Sequence, residues 1–182
     1  MTLAQQLLAI HQALEAADLA HAFGGAIALA YWTADPRGTS DIDVNVFIAA
    51  ERCEEALRSL PDEISYDESA IATIVREGQI RLWWGETPVD LFFDYGPIHA
   101  EAARHRRIVP FAGERIPVLG PVELAAFKAI FDRTRDWADI EAMLAAETLD
   151  VDALREQLSG LVDADDPPFA RLDEAIRRAD AA

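Results

Sequence analysis

Two aspartates separated by one residue mark the segment of this sequence best suited to metal chemistry. Asp41 and Asp43 lie in the run DIDVNVFI, where apolar residues alternate with polar ones as in a strand. Side chains two positions apart project from the same face of a strand, with Cα atoms about 6.5–7 Å apart. Two carboxylates placed in this way repel each other, and burial without a partner would force one to protonate. A divalent cation, Mg²⁺ or alternatively Mn²⁺, relieves the repulsion because it binds carboxylate oxygens.

A third carboxylate, Asp90, lies in the later strand-like run VDLFF, where Val89 and Leu91 are predicted to face the other side. If the two strands are neighbours, Asp90 reaches the face that carries Asp41 and Asp43 across a gap of about 5 Å. Three carboxylates on adjacent strands suit a two-metal site for phosphoryl or nucleotidyl transfer. The competing interpretation of the Asp-x-Asp pair is a solvated strand end.

A glycine pair and a loop precede these aspartates and favour the metal site over a solvated strand end. Gly24 and Gly25 lie between a short predicted strand and a predicted helix. Bare backbone N–H groups and the helix dipole attract phosphate at such a place, although a tight turn without a ligand is the alternative for the glycines alone. Arg37 and Thr39 stand just before Asp41, in a loop that we expect to overhang the metal site.

Hydrophobic spacing predicts strands in the first two thirds of the chain and only helices after about residue 119. This order is typical of an α+β sheet domain that carries a helical C-terminal part. The 182 residues fit one compact domain with such a part appended, and we place the division between residues 1–118 and 119–182. We expect strands at 21–23, 41–48, 79–84, 89–94, 106–111 and 115–119, and helices at 3–17, 26–32, 51–60, 68–76 and in four segments after Gly120.

Composition excludes several classes of protein. The chain has 33 acidic and 16 basic residues, a formal charge of −17, which argues against an extensive surface for nucleic acid or anionic membrane. Cys53 is the only cysteine, so an intramolecular disulfide and a thiolate zinc site are excluded. No apolar run approaches the ~20 residues that a membrane span requires, and the N-terminus lacks a signal-peptide pattern. We therefore expect a cytoplasmic protein without a membrane partner.

The segment GGAIALAYWTADPRGTSDIDV resembles the signature of the nucleotidyltransferase (polymerase-β-like) fold, in its small bacterial AbiEii-type branch. There a glycine pair, a short helix and an Arg-x-Thr-x-Asp-x-Asp segment occur in that order. TPVDLFFD is similar to the segment with the family's later strand aspartate, and ELAAFKAIFDRTRDWADIEAML resembles a helical segment in which a lysine precedes an Asp-x-x-Asp pair. The resemblance covers roughly residues 20–146 and implies a small mixed β-sheet core flanked by helices. Many members have Gly-Ser instead of Gly-Gly, so a serine contact is absent here.

The resemblance also implies an activity and a role for each motif. The activity is Mg²⁺-dependent transfer of a nucleoside monophosphate from a nucleoside triphosphate to an acceptor hydroxyl, with release of pyrophosphate. Asp41 and Asp43 would hold two Mg²⁺, and Asp90 would complete the catalytic metal site and help to deprotonate the acceptor. Gly24 and Gly25 would bind the triphosphate through backbone donors. Positioning and charge neutralisation supply most of the catalysis in such reactions.

The sequence leaves the base, the acceptor and the oligomeric state open. A member of the toxin or abortive-infection type would modify tRNA or another RNA end. A resistance-type member would modify a small hydroxylated antibiotic such as an aminoglycoside or a lincosamide, and an antitoxin-like member would modify a partner protein. A module that binds nucleotide or protein without turnover is a further alternative, but none of the three carboxylates is missing.

The helical segment contains the single lysine of the chain, Lys128, beside fifteen arginines elsewhere. Retention of lysine here favours a compact ammonium for a triphosphate contact, and a surface cation paired with Asp132 is the alternative. Asp136 and Asp139 share a helix face, where they either anchor Lys128 or a nearby arginine or cap the helix that begins near Asp136. The lysine's helix is expected to bury one apolar stripe, formed by Leu124, Phe127 and Phe131.

Histidines and clustered arginines are the remaining side chains with ligand-binding chemistry. The cluster Arg104-His105-Arg106-Arg107 either contacts a nucleic-acid acceptor or balances nearby acids on a solvated face. The four histidines show no metal-ligand spacing and are expected to be surface or core residues: His11, His21, His99 and His105.

Overall fold

A six-stranded sheet organises the computed structural model, which describes residues 1–34, 37–94, 96–163 and 165–179. The predicted loop after the second helix therefore has Asp35 and Pro36 outside the described residues. The strands are β1 (His21–Phe23), β2 (Ile42–Ala49), β3 (Gln79–Trp84), β4 (Thr87–Asp94), β5 (Arg107–Phe111) and β6 (Glu114–Val118). Their order across the sheet is β3-β4-β2-β1-β6-β5.

The sheet is mixed, with parallel and antiparallel neighbours, and the burial of residues on β2 shows which of its faces carries Asp43. β2 is parallel to β4, and β1 is parallel to β6, whereas the other neighbours are antiparallel. On β2 the apolar residues Ile42, Val44 and Val46 are buried in the core with no exposed surface. Because side chains alternate along a strand, this burial directs the odd-numbered residues, Asp43 among them, to the other face.

Helices flank the sheet and fill the chain after β6. Helix starts follow ordinary capping rules: the side chain of Thr2 accepts a bond from the backbone N–H of Gln5, and Asp67 caps the fourth helix. Gly78 ends that helix in the left-handed conformation, with φ of 69°. A 3₁₀ turn (Ala50–Arg52) precedes the third helix. The helices are α1 (Leu3–Ala16), α2 (Gly25–Trp32), α3 (Cys53–Ser59), α4 (Glu68–Glu77), α5 (Pro97–His105), α6 (Pro121–Phe131), α7 (Thr134–Ala145), α8 (Val151–Ser159) and α9 (Pro167–Ala179).

The predicted α+β class, with a mixed sheet followed by helices, is confirmed. Helix α5 was not expected from the sequence. Gly96 and Pro97 together are typical of a turn. Here Gly96 is the N-cap and Pro97 is the first residue of the helix, where proline is favoured because its missing N–H has no intrahelical partner.

The prediction that Phe131 belongs to the buried stripe of α6 is wrong, since this residue is 43% exposed. The buried face of α6 is instead rotated toward Ala125, Lys128 and Ala129. The division of the chain at residue 118 stays a prediction. Among the described helices, none is long and apolar enough to cross a membrane.

Candidate active site

Asp41, Asp43 and Asp90 line one cavity of about 460 Å³. Asp43 and Asp90 are direct register partners on the parallel strands β2 and β4, and Asp41 stands just before β2. Neighbouring strands lie ~4.8 Å apart, so the two strand aspartates are adjacent across the sheet. The sheet therefore brings the three carboxylates together, as their spacing predicts.

Asp43 is buried beside two other carboxylates, and both features raise its pKa. Burial raises the pKa of Asp43 to about 6, and the charges of Asp41 and Asp90 act in the same direction. Lys128 and Arg133 oppose this rise but do not cancel it. Hard carboxylate oxygens that repel one another in a partly buried cleft are the donor set that a divalent cation stabilises, so these three residues fit such an ion.

The glycine pair is fitted closely against this cluster. Gly25 has φ of +51°, and a Cβ atom at that position would lie 1.8 Å from Asp43 Oδ2. The N–H of Gly24 donates to the backbone carbonyl of Asp43 at 2.9 Å. That amide is therefore engaged within the sheet, in contrast to the expectation that both glycines offer backbone donors to a phosphate. The first N–H groups of α2, beginning with Gly25, have no partner within the helix by its geometry.

Arg81 on β3 contacts the third carboxylate and was not predicted as a site residue. Its Nε and Nη2 atoms each donate to Asp90 at 2.7 Å, to Oδ1 and Oδ2 respectively. Arg81 is the register partner of Asp90 across the antiparallel β3–β4 pair. The turn that joins the two strands has two residues, Gly85 and Glu86, and this register places Arg81 opposite Asp90. The longer turn predicted from the sequence, with strands at 79–84 and 89–94, would have paired Arg81 with Phe92, so the contact could not be predicted.

Lys128 lines the cavity as a buried residue and is not on an outer helix face. It is 6% exposed, and its Nζ donates to Asp139 Oδ2 at 2.6 Å and to Asp136 Oδ1 at 3.5 Å. The alternative of a surface cation paired with Asp132 is wrong, because Asp132 accepts bonds from Trp137 and from an arginine of α9. Of the two roles left open for Asp136 and Asp139, the anchoring of Lys128 is the one observed.

The same two aspartates also bind arginines that line the cavity. Arg37 donates to both oxygens of Asp139, at 3.3 and 3.0 Å, and Arg133 donates to both oxygens of Asp136, at 2.6 and 3.2 Å. Burial alone would raise the pKa of Asp136, but the hydrogen bond from Arg133 and the charge of Lys128 outweigh it and lower that pKa. Asp136 and Asp139 thus hold three cations of the cavity wall in fixed positions.

Thr39 contributes to the site through a carboxylate. Its hydroxyl donates to Asp41 Oδ1, and the backbone nitrogen of Asp41 lies 3.4 Å from the same hydroxyl oxygen. This local turn is of the kind that serine and threonine form with nearby backbone groups. Thr39 therefore orients Asp41.

The cavity wall has a basic part and an apolar part. Most of the residues in both parts were not predicted from sequence patterns. The apolar part includes Ile80, Phe92, Phe127 and Phe131, and the rings of Phe92 and Phe131 are 6.2 Å apart. Although the chain carries a formal charge of −17, five of its sixteen basic residues line this cavity. They are Arg37, Arg81, Lys128, Arg133 and Arg135.

Comparisons with known proteins agree with this architecture. Curated protein sequences include no match to the chain. An antigenic nucleotidyltransferase-like protein from Paracoccidioides brasiliensis superimposes with a TM-score of 0.51 at 16% identity, over 96% of this chain and 91% of that one. The solution structure of the antibiotic-resistance factor ANT(2'')-Ia gives a TM-score of 0.55 at 13% identity, over 98% and 91% of the two chains. Its crystal structure with adenylyl-2''-tobramycin gives 0.54 at 12% identity, over 100% and 98%.

At these identities the structural likeness shows a shared fold, and the family is shown by sequence. The family model described as nucleotidyl transferase AbiEii toxin, type IV toxin–antitoxin system, matches residues 6–181. The predicted resemblance is thereby confirmed over nearly the whole chain, beyond the segment that suggested it. The chain belongs to the AbiEii nucleotidyl transferase toxin family.

Proposed function

We propose that the protein transfers a nucleoside monophosphate from a nucleoside triphosphate to an acceptor hydroxyl at the cavity that Asp41, Asp43 and Asp90 line. The observation that carries the proposal is the register pairing of Asp43 with Asp90 in a cavity that also gathers five basic residues. Carboxylates for metal and cations for a polyanion are the two requirements of nucleotidyl transfer. Family membership supports the same class of reaction.

Three side chains would hold two Mg²⁺ ions. Asp41 and Asp43 would bind both ions, and Asp90 would bind the ion on the acceptor side. The fit rests on the three carboxylates that line one cavity, and the raised pKa of Asp43, caused by burial and then by the charges of Asp41 and Asp90, agrees with it. When bound, the ions neutralise the triphosphate and acidify the attacking hydroxyl. Thr39 supports this arrangement because its hydrogen bond fixes the carboxylate of Asp41.

The triphosphate would lie along the basic wall of the cavity. Lys128 and Arg37 are held by Asp139, and Arg133 is held by Asp136, so their charges are in place before the substrate binds. Such preorganisation stabilises the charge that moves to the leaving pyrophosphate without a reorganisation cost. The turn at Gly24 and Gly25 brings the start of α2 to the same place, where unpartnered amides favour an anion.

The acceptor would be activated at Asp90. Asp90 accepts the hydroxyl proton as the acceptor oxygen forms its bond to the α-phosphorus, and the bond from that phosphorus to the bridging oxygen breaks to release pyrophosphate. Arg81 occupies both oxygens of Asp90 in the structure, so it must leave this carboxylate before Asp90 can act. Its side chain is 53% exposed, which leaves room for that movement.

The acceptor class can be determined with one screen. Each α-labelled nucleoside triphosphate is incubated with Mg²⁺, the protein and cell-extract fractions containing RNA, small molecules or proteins. We expect label in one fraction, and none with Asp41→Ala/Asp43→Ala or with a chelator. Label in the RNA fraction indicates the acceptor of a toxin-like enzyme, and label in the small-molecule fraction indicates the acceptor of a resistance-type enzyme. Label in the protein fraction indicates that the acceptor is a partner protein. Equal labelling by wild type and the double variant would contradict the proposed site.

Gly25→Ala is expected to lower transfer activity by about 100-fold and stability by ~1–3 kcal/mol, because the new Cβ occupies a left-handed conformation and collides with Asp43. The measurements are the label-transfer rate and denaturant unfolding. Gly38→Ala is the control, because a Cβ at that position meets nothing within 4 Å. Equal behaviour of the two variants would show that the close approach of Gly25 to Asp43 has no role.

Arg81→Gln is expected to increase the affinity for Mg²⁺ by up to about fivefold, because an exposed arginine–carboxylate pair contributes ~1 kcal/mol that the ion must displace. Calorimetric titration with Mg²⁺ measures this change. Arg58→Gln removes an exposed pair with Glu54, and neither residue lines the cavity, so this variant is the control. Weaker Mg²⁺ binding by Arg81→Gln would mean that Arg81 supports the site and does not compete for Asp90.

A further inference from the structure

A second group of potential metal ligands lies between α1 and β1, outside the cavity. His11, Glu15 and His21 each place a ligand atom within 4.8 Å of the other two. The histidines have no metal-ligand spacing in the sequence, and His11 and His21 come together only in the fold. His11 and Glu15 are one helical turn apart on α1, and the fold, which sequence spacing does not reveal, brings His21 to them from the start of β1.

The hydrogen bonds of His21 prepare its ring for a metal. Nδ1 of His21 lies 2.8 Å from the backbone carbonyl oxygen of Leu19, so in the neutral ring this nitrogen carries the proton. Nε2 then presents its lone pair, and it lies 2.9 Å from Nδ1 of His11. A carbonyl that fixes the tautomer in this way is the usual outer partner of a metal-bound histidine.

The burial of the three residues forms a site with a closed end and an open end. His21 is 1% exposed and forms the inner end, His11 is half-buried, and Glu15 is exposed. An ion can therefore enter from solvent past Glu15 and meet two imidazoles at the core boundary. The acidity of the whole chain, −17, raises the local concentration of cations.

We propose that His11, Glu15 and His21 bind a transition-metal ion such as Zn²⁺, with water in the fourth position. Two histidines and one glutamate are an established ligand set for zinc. Zinc–ligand bonds of about 2.0–2.1 Å at tetrahedral angles place ligand atoms ~3.3 Å apart. The imidazole nitrogens at 2.9 Å need only a small separation to reach that geometry.

This site differs from the aspartate cluster in both chemistry and consequence. Mg²⁺ prefers an all-oxygen ligand set, whereas imidazole nitrogens select zinc and its neighbours. The ion would link α1 to β1, the strand that leads directly into Gly24, and would stabilise the folded chain without contacting the reacting groups. An ion that binds only the folded state raises the unfolding temperature.

The test is a titration of the Asp41→Asn/Asp43→Asn protein with Co²⁺, which reports its coordination by visible absorption. This background weakens the aspartate cluster as a competing site. We expect one equivalent to bind with the spectrum of a four-coordinate nitrogen–oxygen site. Zn²⁺ should displace Co²⁺ and should raise the unfolding temperature, and Mg²⁺ should do neither.

Two substitutions in this background decide whether the ion occupies the proposed ligands. His11→Gln retains a donor for Nε2 of His21 and should fold, yet it should lose the Co²⁺ spectrum and the Zn²⁺-dependent shift. His105→Gln is the control, because His105 also lies beside two carboxylates, Glu101 and Glu123. This variant should bind Co²⁺ and Zn²⁺ as before. An unchanged spectrum in His11→Gln, or no binding of Co²⁺ or Zn²⁺ at millimolar concentration, would overturn the proposal. Transfer activity of His11→Gln in the otherwise native chain should equal that of wild type.

Discussion

Asp43→Asn is expected to reduce the rate of nucleotidyl transfer by about 1,000-fold or more, because it removes the central carboxylate of the metal cluster. Asp43 is the register partner of Asp90 and contacts the glycine turn, so no neighbouring side chain can take its place. The measurement is the initial rate of label transfer at saturating Mg²⁺ and triphosphate.

The same substitution should stabilise the metal-free protein at neutral pH. The pKa of Asp43 is about 6 in the folded state and 3.8 in a model peptide, so its ionisation destabilises the fold. This cost is absent below about pH 4, grows as the pH rises to about 6, and reaches at most about 3 kcal/mol. Denaturant unfolding of the wild type and of Asp43→Asn in a chelator, at both ends of this range, measures the difference.

Asp94→Asn is the matched control for both effects of Asp43→Asn. Asp94 also lies on β4, two positions beyond Phe92 on the face that carries Asp90, but it is exposed and near the strand end. Its replacement should leave the transfer rate and the pH dependence of unfolding unchanged. If Asp43→Asn behaves like Asp94→Asn in either measurement, the carboxylate cluster does not have the charge that we infer.

Lys128→Met is expected to lower the free energy of unfolding by ~3–5 kcal/mol, because it leaves buried carboxylates without their central cation. The side chains of Asp136 and Asp139 are 0% and 8% exposed. Their other partners, Arg133 and Arg37, are more exposed and approach from the cavity side. Denaturant unfolding at neutral pH measures the loss.

A double-mutant cycle separates the ion pair from the packing of the lysine stem. Asp139→Asn should remove part of the penalty of Lys128→Met, which gives a favourable coupling between the two positions. Lys128→Arg keeps the charge and tests whether the site requires a compact ammonium. Additive effects of Lys128→Met and Asp139→Asn, or a loss below ~0.5 kcal/mol for Lys128→Met, would contradict the anchoring role.

Local sequence patterns were sufficient for the two strands that carry Asp43 and Asp90. Apolar and polar residues alternate in β2 and around Asp90, and this pattern predicted both strands and the face of each that is polar. The prediction was possible because a side-chain period of two follows from strand geometry. The glycine pair at the start of α2 was predicted as a turn between a strand and a helix, and the φ of +51° at Gly25 is a conformation that glycine adopts without strain.

Contacts between elements distant in the chain could not be predicted in the same way. The pairing of Arg37 with Asp139 joins residues 102 positions apart, and no local periodicity encodes it. Phe131 was assigned to the core from its spacing on α6, but the helix is rotated so that Lys128 is buried and Phe131 lines the cavity. Long-range packing thus decided which face of this helix is buried.

The position of the label in the triphosphate tests the central claim most directly. The wild-type protein is incubated with Mg²⁺, the acceptor fraction found in the screen, and triphosphate labelled at either the α- or the γ-phosphorus. Nucleotidyl transfer predicts that α-label becomes attached to the acceptor while γ-label is released as pyrophosphate, and that Asp43→Asn abolishes both events. Attachment of γ-label to the acceptor, or transfer of α-label at an undiminished rate by Asp43→Asn, would contradict nucleotidyl transfer at this site.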